Sequence, residues 1–449
     1  MSASLHLSVP YWRSDPSFQC LCDLVAGDKL VCITGAGISS RLAQKADPSK
    51  TVPQWPGLLE ALFRTFEERL GDADRDDCLR LLRLDRGGPG KEPPSGRDLI
   101  LAASILRAVS PAEFDTAFRT AVTNADGSFS ENHSVLLEVK PAGILTFNYD
   151  SGHENAARAS GIPLEPLMAG DEAALRQALA QPRRPFYLKA HGSLDSTSEL
   201  VLTEESYRQL LVKSPVYRGF VQNILTNFDL LFVGFRINDP DFDLFIDSIA
   251  NQFGSPLREH VAVFHERERT VNDIALRRRY GIRICYVKDF ADIPKMLRHA
   301  LKVPGPKLSE YLTMALSRSR EERDAAHRHF GRLGEAGRVC ASNVLRERVD
   351  EFSASGKHFD LSELAYSLGI IDPRANKDIL MHLVASAQHA DPAGRALTVL
   401  RSVLTVSDVP QLQTWLERYS SNPLLGDGSN RVAKYLDYLL TYIPAKFRS

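Results

Sequence analysis

Lys29–Ser40 reads KLVCITGAGISS. Lys29–Thr34 is a short, largely apolar run with β-branched residues, which predicts a buried strand. Gly35, Ala36 and Gly37 follow at once, then Ile38, Ser39 and Ser40. A strand that runs into glycines and a Ser-capped helix is a common opening of a nucleotide-binding α/β sheet. The glycines would let the backbone approach a phosphate, and the helix N-terminus would attract the anion. A tight strand-to-helix turn with no ligand explains the same residues. The dinucleotide fingerprint wants a third Gly or Ala where Ser40 stands.

The pattern of this opening repeats along the chain. Further strands are predicted at Gly143–Phe147 (GILTF), Phe186–Ala190 (FYLKA), Leu230–Val233 (LLFV), Val261–Phe264 and Ile282–Val287. Helices are predicted from Leu58 onward, where Leu58, Leu59, Leu62, Phe63 and Phe66 share a face, and at Arg97–Val109, Pro111–Val122 and Glu131–Val139. Residues 85–95 read as a loop. Short apolar strands alternating with helices predict an α/β fold: a Rossmann-like, mainly parallel sheet with helices on both faces. After Val303-Pro304-Gly305-Pro306 the strand-like runs stop. A charged helical stretch at 308–336 and helices near Leu361–Leu368, Asp378–Gln388, Ala393–Leu404 and Arg431–Tyr442 predict an all-helical C-terminal domain. The expected division is therefore residues 1–300 and 301–449.

Composition narrows the function classes. The chain has 449 residues, 43% of them hydrophobic and 25% charged, with a formal net charge of -1. Such a balance does not make the whole surface a nucleic-acid footprint. The 301–449 segment carries 20 Lys+Arg against 17 Asp+Glu, so charge gives it no strong pull on nucleic acid either. The six cysteines, Cys20, Cys22, Cys32, Cys78, Cys285 and Cys340, form no C-x-x-C pair. Scattered cysteines, an N-terminus without an apolar signal core and the lack of an 18-residue apolar run predict a soluble cytoplasmic protein with no metal site.

Four motifs follow the predicted strand ends, where open α/β sheets bind ligands. The first is Gly35-Ala36-Gly37-Ile38-Ser39. The second is Thr146-Phe147-Asn148-Tyr149-Asp150, whose Asn and Asp can bond ribose hydroxyls or hold a water, or simply cap a helix. The third is His191-Gly192-Ser193: a histidine at a strand end suits a general base, although a lone histidine is often structural. The fourth is Gly234-Phe235-Arg236-Ile237-Asn238-Asp239-Pro240-Asp241, a glycine turn with polar groups, or a helix start with Pro240 in the first position.

In this order, GAGIS, TFNYD, HG and LLFVGFRINDPDF resemble the sirtuin superfamily, in its sirtuin-like NAD-hydrolase branch from bacterial anti-phage defence. Asn132-His133-Ser134-Val135-Leu136-Leu137 also looks like the family's segment ahead of its second motif, and the resemblance spans about residues 20–290. It implies NAD+ as substrate, with Gly35, Ala36, Gly37 and Ser39 on its phosphates. Asn148 would lie beside the nicotinamide ribose and place the attacking group, Asp150 would support it, and His191 would act as base. The Gly234 turn, with Phe235 and Asp239, would border the adenosine side.

The departures from the family are informative. Its deacylases insert a zinc ribbon of two cysteine pairs after HG, and residues 193–229 contain no cysteine. The family's P-D-F-R segment is missing, and Val52-Pro53-Gln54-Trp55-Pro56 is the nearest counterpart, with Trp55 a candidate wall. Water is thus the expected acceptor. The resemblance implies an NAD+ glycohydrolase acting as an abortive-infection effector. It also implies a homo-oligomer, a helical domain for oligomerisation or partner binding, and a partner sensor such as a helicase-type ATPase or an Argonaute. Nucleic acid would be involved only indirectly. A deacylase or ADP-ribosyltransferase, a non-catalytic NAD-sensing assembly module, and cyclisation rather than hydrolysis are the competing readings.

Overall fold

The computed structural model describes residues 11–13, 15–84, 94–181, 184–194, 200–210, 214–236, 242, 258–269, 273–421 and 428–446. The chain forms two compact units: one runs to Leu24 and from Lys29 to Ala300, and the other comprises Val25–Asp28 and Leu301–Ser449.

The first unit is built on seven parallel strands: β1 (Leu30–Thr34), β2 (Gly143–Thr146), β3 (Leu167–Met168), β4 (Phe186–Lys189), β5 (Asp229–Val233), β6 (His260–His265) and β7 (Ile282–Val287). Their order is β3-β4-β2-β1-β5-β6-β7. All five residues of β1 are buried, as its β-branched run requires of a central parallel strand. Cys32 pairs with Ile144 on one side and Leu231 on the other. From β1 the chain builds outward first through β2 and later through β5, so the carboxyl end of β1 is the switch point where such sheets bind ligands.

On one face Val31, Ile33, Leu145, Leu188 and Phe232 pack against the helix Pro215–Asn227, with Phe220 and Ile224 at the contact. Between β1 and β2 the chain inserts a helical layer: α2 (Trp55–Phe66), α3 (Asp72–Leu81), α4 (Gly96–Val109) and α5 (Pro111–Val122). This layer has its own core, including Leu59, Phe63, Phe66, Leu106, Phe114 and Phe118. α6 (Glu131–Glu138) then leads into β2, and α7 (Gly152–Ala159) leaves it.

One expectation is corrected here, and one strand was not anticipated. GAGIS does not open an α-helix: Ala36–Ser39 is a single 3-10 turn without a side-chain cap, and the next α-helix begins at Trp55. With no long helix there is no macrodipole aimed at an anion. The two-residue strand β3 had no periodicity long enough to predict it.

The second unit is helical, running from Pro306–Met314 to Ser429–Lys446, and among its described residues no β-strand occurs. One continuous core, with Leu345, Leu364, Leu368, Leu383, Leu397 and Leu436, holds it together. Among the described residues, no helix is long and apolar enough to cross a membrane.

Candidate active site

The two glycine turns at the ends of β1 and β5 touch backbone to backbone. The Gly35 N–H donates to the Val233 carbonyl (3.0 Å) and the Gly37 N–H to the Gly234 carbonyl (2.8 Å). A Cβ on Gly35 would lie 2.8 Å from the Gly234 oxygen. These glycines serve first to let two strand ends meet, and Gly35, Ala36 and Ser39 of the first turn reach the cleft beside them.

That cleft lies over the carboxyl ends of β1, β2 and β4, beneath the helical layer. Counting space open to solvent, it takes in about 720 Å³. Gly35, Ala36, Ser39, Phe147, Asn148, Tyr149, Asp150, His191 and Phe235 line its sheet side. Val52, Pro53, Trp55 and Leu58 come from the entry to α2, and Val122 and Tyr207 complete the wall. Trp55 is indeed a wall residue, with its ring edge-on to Phe118.

Seven of the residues singled out in the sequence therefore meet in one cleft: Gly35, Ala36, Ser39, Asn148, Asp150, His191 and Phe235. Gly37 and Gly234 lie behind it as backbone contacts. Asp239 lies outside the described residues.

A chain of polar groups fixes Asn148. Its Nδ2 donates to Ser39 Oγ (3.1 Å), and Ser39 Oγ is 3.3 Å from His133 Nε2. The Ser130 backbone N–H donates to His133 Nδ1 (3.1 Å), so Nδ1 is an acceptor and Nε2 carries the ring proton. The Ser130 hydroxyl lies 2.8 Å from both Nδ1 and the Ile38 carbonyl. Ser39 Oγ thus receives two N–H groups and has its own proton to give. Burial holds the His133 pKa below its ordinary value, partly offset by Asp150 and the Ser130 amide. Asp150 Oδ1 accepts the Gly152 N–H (2.8 Å), which starts α7. Neither Asn148 nor Asp150 is the N-cap, which is Ser151.

From below, Lys189 clamps the same loop. Its side chain is fully buried. Its ammonium donates to the carbonyls of Tyr149 (3.2 Å) and Asp150 (2.7 Å) and to Glu154 Oε1 (2.9 Å). Tyr187 donates to the other Glu154 oxygen (3.0 Å). Burial, then the Glu154 charge, pushes the Tyr187 pKa well up. The loop bearing Asn148 is thereby tied to β4, the strand that leads to His191, by a paired buried charge.

His191 is buried among rings. Phe147 and Tyr207 meet it edge-on at 5.0 and 5.1 Å, and its Nδ1 lies 3.4 Å from the Tyr149 hydroxyl. Sequence reasoning missed Tyr149, Tyr207 and Lys189. Tyr149 stood inside the quoted TFNYD motif, and Lys189 was visible as a charge inside an apolar strand, which demands a partner. Tyr207 carried no signal, because its place depends on how residues after HG fold back.

A parallel sheet carries paired glycine turns at its switch point, with Asn, Asp and His gathered at neighbouring strand ends. A family model described as "SIR2-like domain" matches residues 142–285. Among individual proteins the chain is similar to the NAD(+) hydrolase ThsA of Bacillus cereus (strain MSX-D12), 26% identical over 156 residues, 34% of this chain and 32% of that one. It is also similar to the NAD(+) hydrolase ThsA of Cytobacillus dafuensis, 25% identical over 146 residues, 32% of this chain and 29% of that one. The protein of the same name from Acinetobacter baumannii (strain 532279) is 21% identical over 192 residues, 38% of each chain. The chain spans about a third of the length of these curated relatives.

Proposed function

We propose that this cleft binds NAD+ and hydrolyses its nicotinamide–ribose bond, giving nicotinamide and ADP-ribose. The meeting of Asn148 and His191 beside the Gly35-Ala36 turn carries the reading. The relatives named NAD(+) hydrolase support it.

The chemistry asks little of the protein. The bond between the anomeric carbon and the ring nitrogen breaks, and its electron pair neutralises the departing pyridinium. A water oxygen bonds to the same carbon and loses a proton, which His191 accepts. The enzyme must hold the ribose rigidly and place one water. The Asn148 carboxamide, fixed by Ser39, suits that placement. Ser39 has a proton to donate, and the Ala36 amide has no intramolecular acceptor among the described residues. Both suit the oxygens of a dinucleotide. The aromatic walls suit a cationic pyridinium.

On this reading the unit ending at Ala300 is catalytic, and the helical unit from Leu301 serves self-association or docking of a sensor partner. The protein would be a cytoplasmic effector of anti-phage defence acting by abortive infection. Six cysteines outside any disulfide suit a reducing compartment. Turnover in ¹⁸O-water tests the hydrolysis. ADP-ribose should gain two mass units, whereas an unlabelled cyclic product, or label-free ADP-ribose on a protein acceptor, would overturn it.

A further inference from the structure

His191 belongs to a closed hydrogen-bonded circuit. Its carbonyl accepts from the Val201 N–H (3.2 Å). The Val201 carbonyl accepts from the Tyr149 hydroxyl at 2.6 Å. The Tyr149 oxygen in turn lies 3.4 Å from His191 Nδ1. The circuit therefore starts and ends on the same residue.

A phenol has one proton, and the short bond to Val201 commits it. The contact between Tyr149 and His191 is then made with Nδ1–H as the donor. A neutral imidazole protonated on Nδ1 carries its lone pair on Nε2. We infer that Tyr149 is a positioning residue that sets the tautomer and orientation of His191, leaving Nε2 as its basic atom. This deepens the hydrolase reading above and rests on it for its kinetic consequence.

In base–orienter pairs the orienter is often a carboxylate, which also stabilises the imidazolium. Tyr149 orients without adding charge. The rest of the setting is rigid. Phe118 meets the Tyr149 ring edge-on at 5.1 Å, and Phe147 and Tyr207 fix the plane of His191. Lys189 holds the Tyr149 carbonyl, so the phenol is anchored at both ends.

Nitrogen-15 spectra of the histidine rings test this on the full chain at neutral to mildly alkaline pH, with the His191 signals assigned by their loss in His191→Ala. The expected wild-type pattern is the Nδ1–H tautomer, and Tyr149→Phe should shift it toward Nε2–H. An Nε2–H tautomer in the wild type, or an unchanged pattern in a folded Tyr149→Phe, overturns the inference. The wild-type spectrum decides even where the variant fails to fold. Neither result needs NAD turnover, so failure of the hydrolase reading is seen separately. With turnover, Tyr149→Phe should lower kcat about three- to tenfold, the loss of one hydrogen bond, with KM unchanged. A loss confined to KM would contradict it.

Discussion

Gly234 takes a φ of +85°, and a Cβ there would lie 2.7 Å from the Gly35 carbonyl and 2.8 Å from the Ile38 amide. Neither neighbour can yield, because both belong to the backbone of the turn that lines the cleft. Gly234→Ala should cost at least about 1–2 kcal/mol from the left-handed conformation alone. It should lower the urea unfolding midpoint, and a midpoint equal to wild type would contradict the backbone contact. Lys189 makes a second demand at this scale. Lys189→Met leaves two carbonyls and Glu154 without their cation, so it should destabilise by about 3–5 kcal/mol. Urea unfolding again reads this, and an effect below about 1 kcal/mol would show that the clamp carries little. Asn148 and His191 were legible in the sequence because each follows a strand end. Lys189 was legible only as an anomaly, since its three acceptors come from a loop and a helix whose approach no local pattern reveals.

The elements explain why the cleft exists. β1, β2, β4 and β5 were readable from apolar runs, to within a residue or so at their ends. The 3-10 turn after β1 was not, because glycine and serine permit several turn types and packing against Gly234 selects one. The helical layer was legible as separate helices, but not as the lid it forms over the strand ends. At the first turn of α2, Trp55 lines the cleft. Under the NAD reading, Trp55→Ala removes an aromatic face worth about 0.5–2 kcal/mol to a pyridinium. NAD+ affinity measured by calorimetry in a His191→Ala background should then fall about two- to thirtyfold. An unchanged affinity would remove Trp55 from the site.

At the scale of the molecule, the helical character of the C-terminal region was legible in the loss of strand-like runs after Pro306, while its function was not legible in its unremarkable charge. The whole chain should be acid-sensitive. Burial holds the pKa of His133 and, further, of His153 below the ordinary value, and it lowers that of His260, helped by Arg258, to about 4. Each native imidazole is neutral where its unfolded counterpart binds a proton, so stability falls as pH drops below about 6.5. For His260 the loss continues down to about 4, at about 1.4 kcal/mol per pH unit. Unfolding midpoints between pH 7.5 and 5.0 check this. His260→Gln, which keeps an acceptor for the Leu230 amide, should flatten the slope, and an unaltered slope would count against His260. The central claim is that Asn148 and His191 act together on NAD+ in one cleft. The direct measurement is chromatography of NAD+, nicotinamide and ADP-ribose after incubation with the full chain, beside Asn148→Ala and His191→Ala. The account predicts equal release of both products by the wild type and a loss of about 10²–10⁴-fold in the folded His191→Ala variant, with a severe loss in Asn148→Ala. NAD+ that binds the wild type and stays intact, or variants that cleave it at the wild-type rate, would contradict it.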